Sequence, residues 1–105
     1  MQNDITIAWG SFDHGRRTIG MNAEALTVAS TRCKRGVLVK ASSSNSGVVY
    51  VGNSDVTANG ASNSAEGTDG YELAAGESVS IENKYVKNIY VVASATNQNV
   101  FWICV

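Results

Sequence analysis

The chain has 105 residues, of which 44 % are hydrophobic and 16 % charged, with a formal net charge of −1, two cysteines and no proline. That length suits one core of ordinary size, and a polar remainder of Ser, Asn, Gly and Thr favours strands and turns over surface helices. The near-neutral balance, without aromatic residues among the basic ones, argues against a nucleic-acid binder. No stretch approaches the ~20 apolar residues of a membrane helix, and Met1-Gln2-Asn3-Asp4 lacks the basic, then apolar, start of a signal peptide. A soluble protein made in a cytoplasm is therefore expected.

Short β-branched and aromatic runs between Gly, Asn and Ser predict strands at 5–9, 25–29, 36–41, 48–51, 78–82, 88–93 and 99–104, with an eighth around 18–21. After the first run, Asp13-His14-Gly15-Arg16-Arg17 reads as a polar turn, and only 21–26 offers a helix start, too short to stand alone. The runs at 48–51, 89–92 and 100–103 are apolar at consecutive positions, so both their faces need cover. Segment 53–70 is polar apart from Val56 and reads as a long exposed or mobile loop. In 78–82, by contrast, Val79 and Ile81 alternate with Ser78, Ser80 and Glu82, the pattern of a strand with one wet face. Turns fall at Asn45-Ser46-Gly47, Ala74-Ala75-Gly76 and Thr96-Asn97-Gln98-Asn99. Together these features predict one all-β domain over 1–105, an antiparallel β-sandwich of seven or eight strands with a jelly-roll-like arrangement.

Charge is unevenly spread. Residues 1–40 hold six basic side chains (Arg16, Arg17, Arg32, Lys34, Arg35, Lys40) against three acids, while the remainder holds Lys84 and Lys87 against six acids. Solvated strand ends explain such a split; a basic face meeting an acidic surface, even a copy of the same chain, is the functional reading. Cys33 and Cys104 are too few for a zinc site and, in a reducing cytoplasm, are expected as two free thiols near the core.

No catalytic constellation emerges. The single histidine, His14, has no nucleophile motif to accompany it. No phosphate-cradling loop or metal-binding helix motif occurs. The acids Asp55, Glu66, Asp69, Glu72 and Glu77 read as solvated strand ends and lack the alternating spacing of a calcium loop. A non-enzymatic protein without a cofactor is expected. Among the aromatics, Trp9 and Tyr85 are the candidates for an exposed, sugar-stacking pair, which keeps a carbohydrate-binding module as an alternative.

Two segments, "VYVGNSDV" at 49–56 with its preceding Val48 and "GYELAAGESVSI" at 70–81, follow Lys34-Arg35-Gly36-Val37-Leu38-Val39-Lys40-Ala41 in the chain. In this order they resemble the "IYVG" and "LxPGES" elements of small virion-associated proteins of tailed bacteriophages, of the capsid-decoration or head-fibre type, over residues 25–105. Ala75 stands where that group usually has Pro, and the loop at 57–69 is longer. The resemblance implies a virion structural protein that sits as an oligomer, with a homotrimer favoured, on the outer surface of a capsid and reinforces it as a cement protein. Its partners would be copies of itself and the major capsid protein, with a tail, baseplate or fibre position as the alternative. Val48, Tyr50, Tyr90, Phe101 and Trp102 are then candidates for the oligomer interface, and Arg32, Lys34, Arg35 and Lys40 for the capsid contact, with the 53–70 loop pointing outward.

Overall fold

A computed structural model describes residues 12–105; the strand expected at 5–9 and Trp9 lie outside them. Eight strands occur among the described residues: β1 (Asp13–Ile19), β2 (Glu24–Ala25), β3 (Val37–Ala41), β4 (Val49–Gly52), β5 (Tyr71–Leu73), β6 (Ser78–Ile81), β7 (Tyr90–Ala93) and β8 (Gln98–Cys104). A single 3-10 turn, Val86–Asn88, precedes β7. They form two four-stranded antiparallel sheets, β1-β8-β3-β6 (sheet A) and β2-β7-β4-β5 (sheet B), packed as a β-sandwich.

The pairing has a simple rule. Counted inward from the two ends, β1 pairs with β8, β2 with β7, β3 with β6 and β4 with β5, and the sheets are completed by β8 on β3 and β7 on β4. This is one long hairpin rolled up so that alternate strand pairs fall in alternate sheets.

Burial follows the pleat. Along β8, Gln98, Val100, Trp102 and Cys104 point into the sandwich while Asn99, Phe101 and Ile103 point out. Val100, Trp102 and Cys104, with Val37, Val39 and Ala41 of β3 and Val49, Val51, Leu73, Val91 and Ala93 of sheet B, make the main core. The ends are held by side chains that the turns place. At one end, Asn45 Nδ2 donates to the Asn99 carbonyl at 2.9 Å while the Asn99 N–H donates back to Asn45 Oδ1 at 2.8 Å. Buried Gln98 accepts from the Gly47 N–H and donates to Ser46 Oγ and the Thr96 carbonyl. Gly76, at φ +85°, supplies the left-handed residue of the β5–β6 turn, and Glu77 accepts the Ala74 N–H on Oε1.

Three expectations are corrected, and one short strand is added. Residues 13–17 are not a turn: they begin the seven-residue β1, paired with β8 throughout. Gly15 fits there because a Cβ at that position would lie 2.8 Å from the Trp102 ring. The run at 25–29 contributes only the two-residue β2, and no helix starts at 21–26. The three-residue β5 was hidden because Tyr71-Glu72-Leu73 is too short to show a period. Finally, Cys33 and Cys104 are bonded to each other, with Cα atoms 5.4 Å apart. The Arg35 and Gly36 N–H groups donate to the Val105 carbonyl and the Val105 N–H donates back to the Gly36 carbonyl, which sets the segment before β3 alongside the end of β8 and brings the two sulfurs within bonding range in the core.

Candidate functional site

Of the features that could do work, the surfaces of the sandwich come first, because among the described residues no three His, Cys, Asp or Glu side chains gather into a metal-binding group. His14 stands exposed on β1 beside the Phe12 ring, centroids 6.3 Å apart. A shallow recess of about 300 Å³ lies at the β5–β6 edge, lined by Tyr71, Glu72, Leu73, Gly76, Glu77 and Ser78. Tyr71 is 63 % exposed there, whereas Tyr85, a candidate for sugar stacking, is half-buried beneath Lys87 Nζ, 5.6 Å from its centroid.

The outer face of sheet B is covered by the chain itself. Segment 53–70 folds over β4 and β7, placing Val56 and Ala58 against Tyr50 and Val92, with Val48 and Tyr90 packed around them. This corrects the expectation of a mobile loop: the segment packs against its own sheet through Val56 and Ala58 and keeps an exposed outer surface. The segment has its own scaffold: the Thr57 N–H donates to the Thr68 carbonyl and the Gly70 N–H to the Thr57 carbonyl, and Asp69 collects the Thr57 hydroxyl at 2.7 Å, the Ser64 hydroxyl at 2.8 Å and the Ala65 N–H at 3.3 Å. Those bonds to the Thr57 and Ser64 hydroxyls hold the Asp69 carboxyl below its usual pKa. Gly70 is required because a Cβ there would come within 2.5 Å of Val56 Cγ2. Burial, then the nearby carboxylates of Glu72 and Asp69, push the Tyr50 phenol upward. The exposed surface of this roof carries Asp55, Glu66 and Glu72, and 53–72 contains no basic residue.

The outer face of sheet A is different. The register aligns Arg16, Phe101, Lys40 and Ser78 in one row across the four strands, and His14, Ile103, Leu38 and Ser80 in the next. Phe101 is 43 % exposed at the centre, Ile103 and Leu38 are half-buried beside it, and no acid lies on either row. Among the described residues no segment covers this face as 53–70 covers the other.

These positions redistribute the candidate residues. Tyr50 and Trp102, 6 % and 8 % exposed, are buried within their own chain, under the roof and in the main core respectively, so they need no partner. Val48 and Tyr90 are half-buried against the same roof. Phe101 alone of the five is exposed. Arg32, Lys34 and Arg35 share one end of the sandwich, and the structure adds two residues to them that the split along the sequence had hidden. Arg32 bridges to Tyr85, Cys33 bonds to Lys84, and Lys87 Nζ reaches Ser30 Oγ at 3.4 Å, so five exposed cations form a basic pole. Lys40 lies apart, at the far end of β3. Arg17 is engaged elsewhere, donating to Glu24 at 2.6 Å and tying the edge of sheet A to the edge of sheet B. Against this geometry, no family model, no curated protein and no solved structure matches the chain.

Proposed function

We propose that this is a non-enzymatic structural protein of a tailed bacteriophage, which attaches as an oligomer to the outside of the capsid and stabilises the head. The observation that carries the reading is the rolled-hairpin pairing of eight strands, β1 with β8 through to β4 with β5. This connectivity supports a jelly roll, an architecture used repeatedly in virus shells. The sequence likeness falls on the same scaffold: "VYVG" is β4, and "GYELAAGESVSI" is β5, its turn and β6.

Two further features support the assignment. A bonded Cys33–Cys104 pair suits a protein that works outside a reducing cytoplasm, as the surface of a released particle is. The basic pole of Arg32, Lys34, Arg35, Lys84 and Lys87 offers the capsid side a compact set of cations, several of which together bind an acidic surface far better than one. The reading is tested on purified virions. The protein is expected to co-purify with heads, and particles lacking it should release DNA at lower temperature. Its presence on tails alone, or its absence from particles, refutes the capsid assignment.

A further inference from the structure

We infer that the outer face of sheet A, which no segment covers among the described residues, is the docking site for the acidic roof of a second copy of this chain, so that copies associate head to tail. The inference rests on the oligomeric reading above and specifies which surfaces make the contact.

The two large faces of the sandwich are opposites. Sheet A presents Phe101, Ile103 and Leu38 flanked by Arg16, Lys40 and His14, with no carboxylate in either row. The roof over sheet B presents Asp55, Glu66 and Glu72, with no cation between 53 and 72. Phe101 is therefore an aromatic anchor between two cations, Arg16 and Lys40, the composition of an interface centre with a polar rim. The roof also offers a low surface to receive such a ring, because Gly60, Ala61, Ser62 and Asn63 are exposed and small.

Two copies meeting sheet A to sheet A would set Arg16 and Lys40 of one against the same cations of the other, an arrangement that like-charge repulsion opposes. Sheet A on the roof brings opposite charges together at every such position. The contact uses two different patches, so it is heterologous, and an open assembly keeps one free face of each kind, one at either end, until a ring closes. The basic pole lies at an end of the sandwich and not on either face, so self-association leaves it free to meet a capsid.

The test is a charge exchange read by sedimentation velocity at low salt. Variant one reverses sheet A (Arg16→Glu with Lys40→Glu); variant two reverses the roof (Asp55→Lys with Glu66→Lys). All four positions are exposed, and circular dichroism verifies the folds. The wild-type protein should associate across the micromolar range, and each variant alone should associate on the order of a hundredfold more weakly. An equimolar mixture should recover association, since each junction between unlike variants pairs opposite charges again. A third variant, Phe101→Ser, should weaken association without changing its salt dependence. Assembly that survives both reversals places the interface elsewhere and overturns this inference while leaving the oligomeric reading intact. Two weakened variants whose mixture stays dissociated also overturn it. A wild-type monomer at all concentrations refutes both self-association claims, and virion co-purification then judges the capsid assignment separately.

Discussion

Opening the Cys33–Cys104 bond should remove a large part of this domain's stability. The bond joins residues 71 apart, and it places both sulfurs in the main core, where it ties the segment before β3 to the last residue of β8. In the chain-entropy account, a loop of that size, left open in the unfolded state, lowers the unfolding free energy by about 4 kcal/mol. That is about a quarter or more of the ~5–15 kcal/mol of an ordinary domain. With a urea slope of about 1.5 kcal/mol per molar, the unfolding midpoint should fall by ~3 M on reduction. The slope itself should rise, because an unfolded chain without the cross-link exposes more surface. The assay is a pair of urea titrations, oxidised and with dithiothreitol, followed by tryptophan fluorescence. Cys33→Ala combined with Cys104→Ala should reproduce the reduced curve. Thiol titration of the unfolded, unreduced protein should find none. Two free thiols, or a midpoint that does not move on reduction, refutes the reasoning.

The remaining expectations concern the roof and the pinned end. Gly70→Ala should destabilise by about 1–3 kcal/mol through the clash with Val56 and the Val51 carbonyl, whereas Gly67→Ala, with nothing within 4 Å of its Cβ, should be near neutral by thermal melting. The lowered pKa of Asp69 means that its contribution is complete above the unfolded value of 3.8 and fades as pH falls through the folded value; exchange protection of the Thr57 and Gly70 amides should fade in that acid window, and Asp69→Ala should lack it already near neutrality. Tyr50 behaves oppositely: its raised pKa keeps the proton in the folded state, so stability is intact below 10.0 and declines as pH rises through the folded value, with one tyrosine ionising late by ultraviolet absorbance. Gln98→Ala should cost about 1–3 kcal/mol in urea unfolding, because the Gly47 N–H loses its acceptor at a buried site.

The strands with strong local signals were legible in the sequence. Val79 and Ile81 alternate cleanly, and β3, β4, β6, β7 and β8 fall within one or two residues of their expected bounds. The three places that escaped each depend on a distant partner. β1 reads as a turn because Asp13-His14-Gly15-Arg16-Arg17 has no apolar alternation; its strand state comes from the β8 ladder and from Trp102 filling the space over Gly15. Cover for Tyr50 is expected from a loop or from a neighbouring subunit, and the polar sequence of 53–70 does not show which; two small apolar side chains, Val56 and Ala58, suffice once Asp69 has organised the turns around them. The disulfide was assigned away on grounds of compartment, which outweighed a geometry that the sequence could not display. For the surfaces, the uneven charge was visible, but its grouping was not. Lys84 and Lys87 join Arg32, Lys34 and Arg35 only because 83–87 runs beside 30–35, while Lys40 leaves that set for the neighbourhood of Phe101.

The rolled hairpin also fixes the order in which the molecule can be assembled during synthesis. Its innermost pair, β4 and β5, is contiguous apart from the 53–70 segment, but β8 lies between β1 and β3 although it follows every other strand in the chain. Sheet B therefore has all four strands outside the ribosome before residues 98–104 emerge, while sheet A waits with β1 separated from β3 by an empty lane. Until that lane is filled, Val37, Val39 and Ala41 have an open strand edge beside them, and a nascent chain stalled at that stage exposes a hydrophobic seam to its neighbours on the same message.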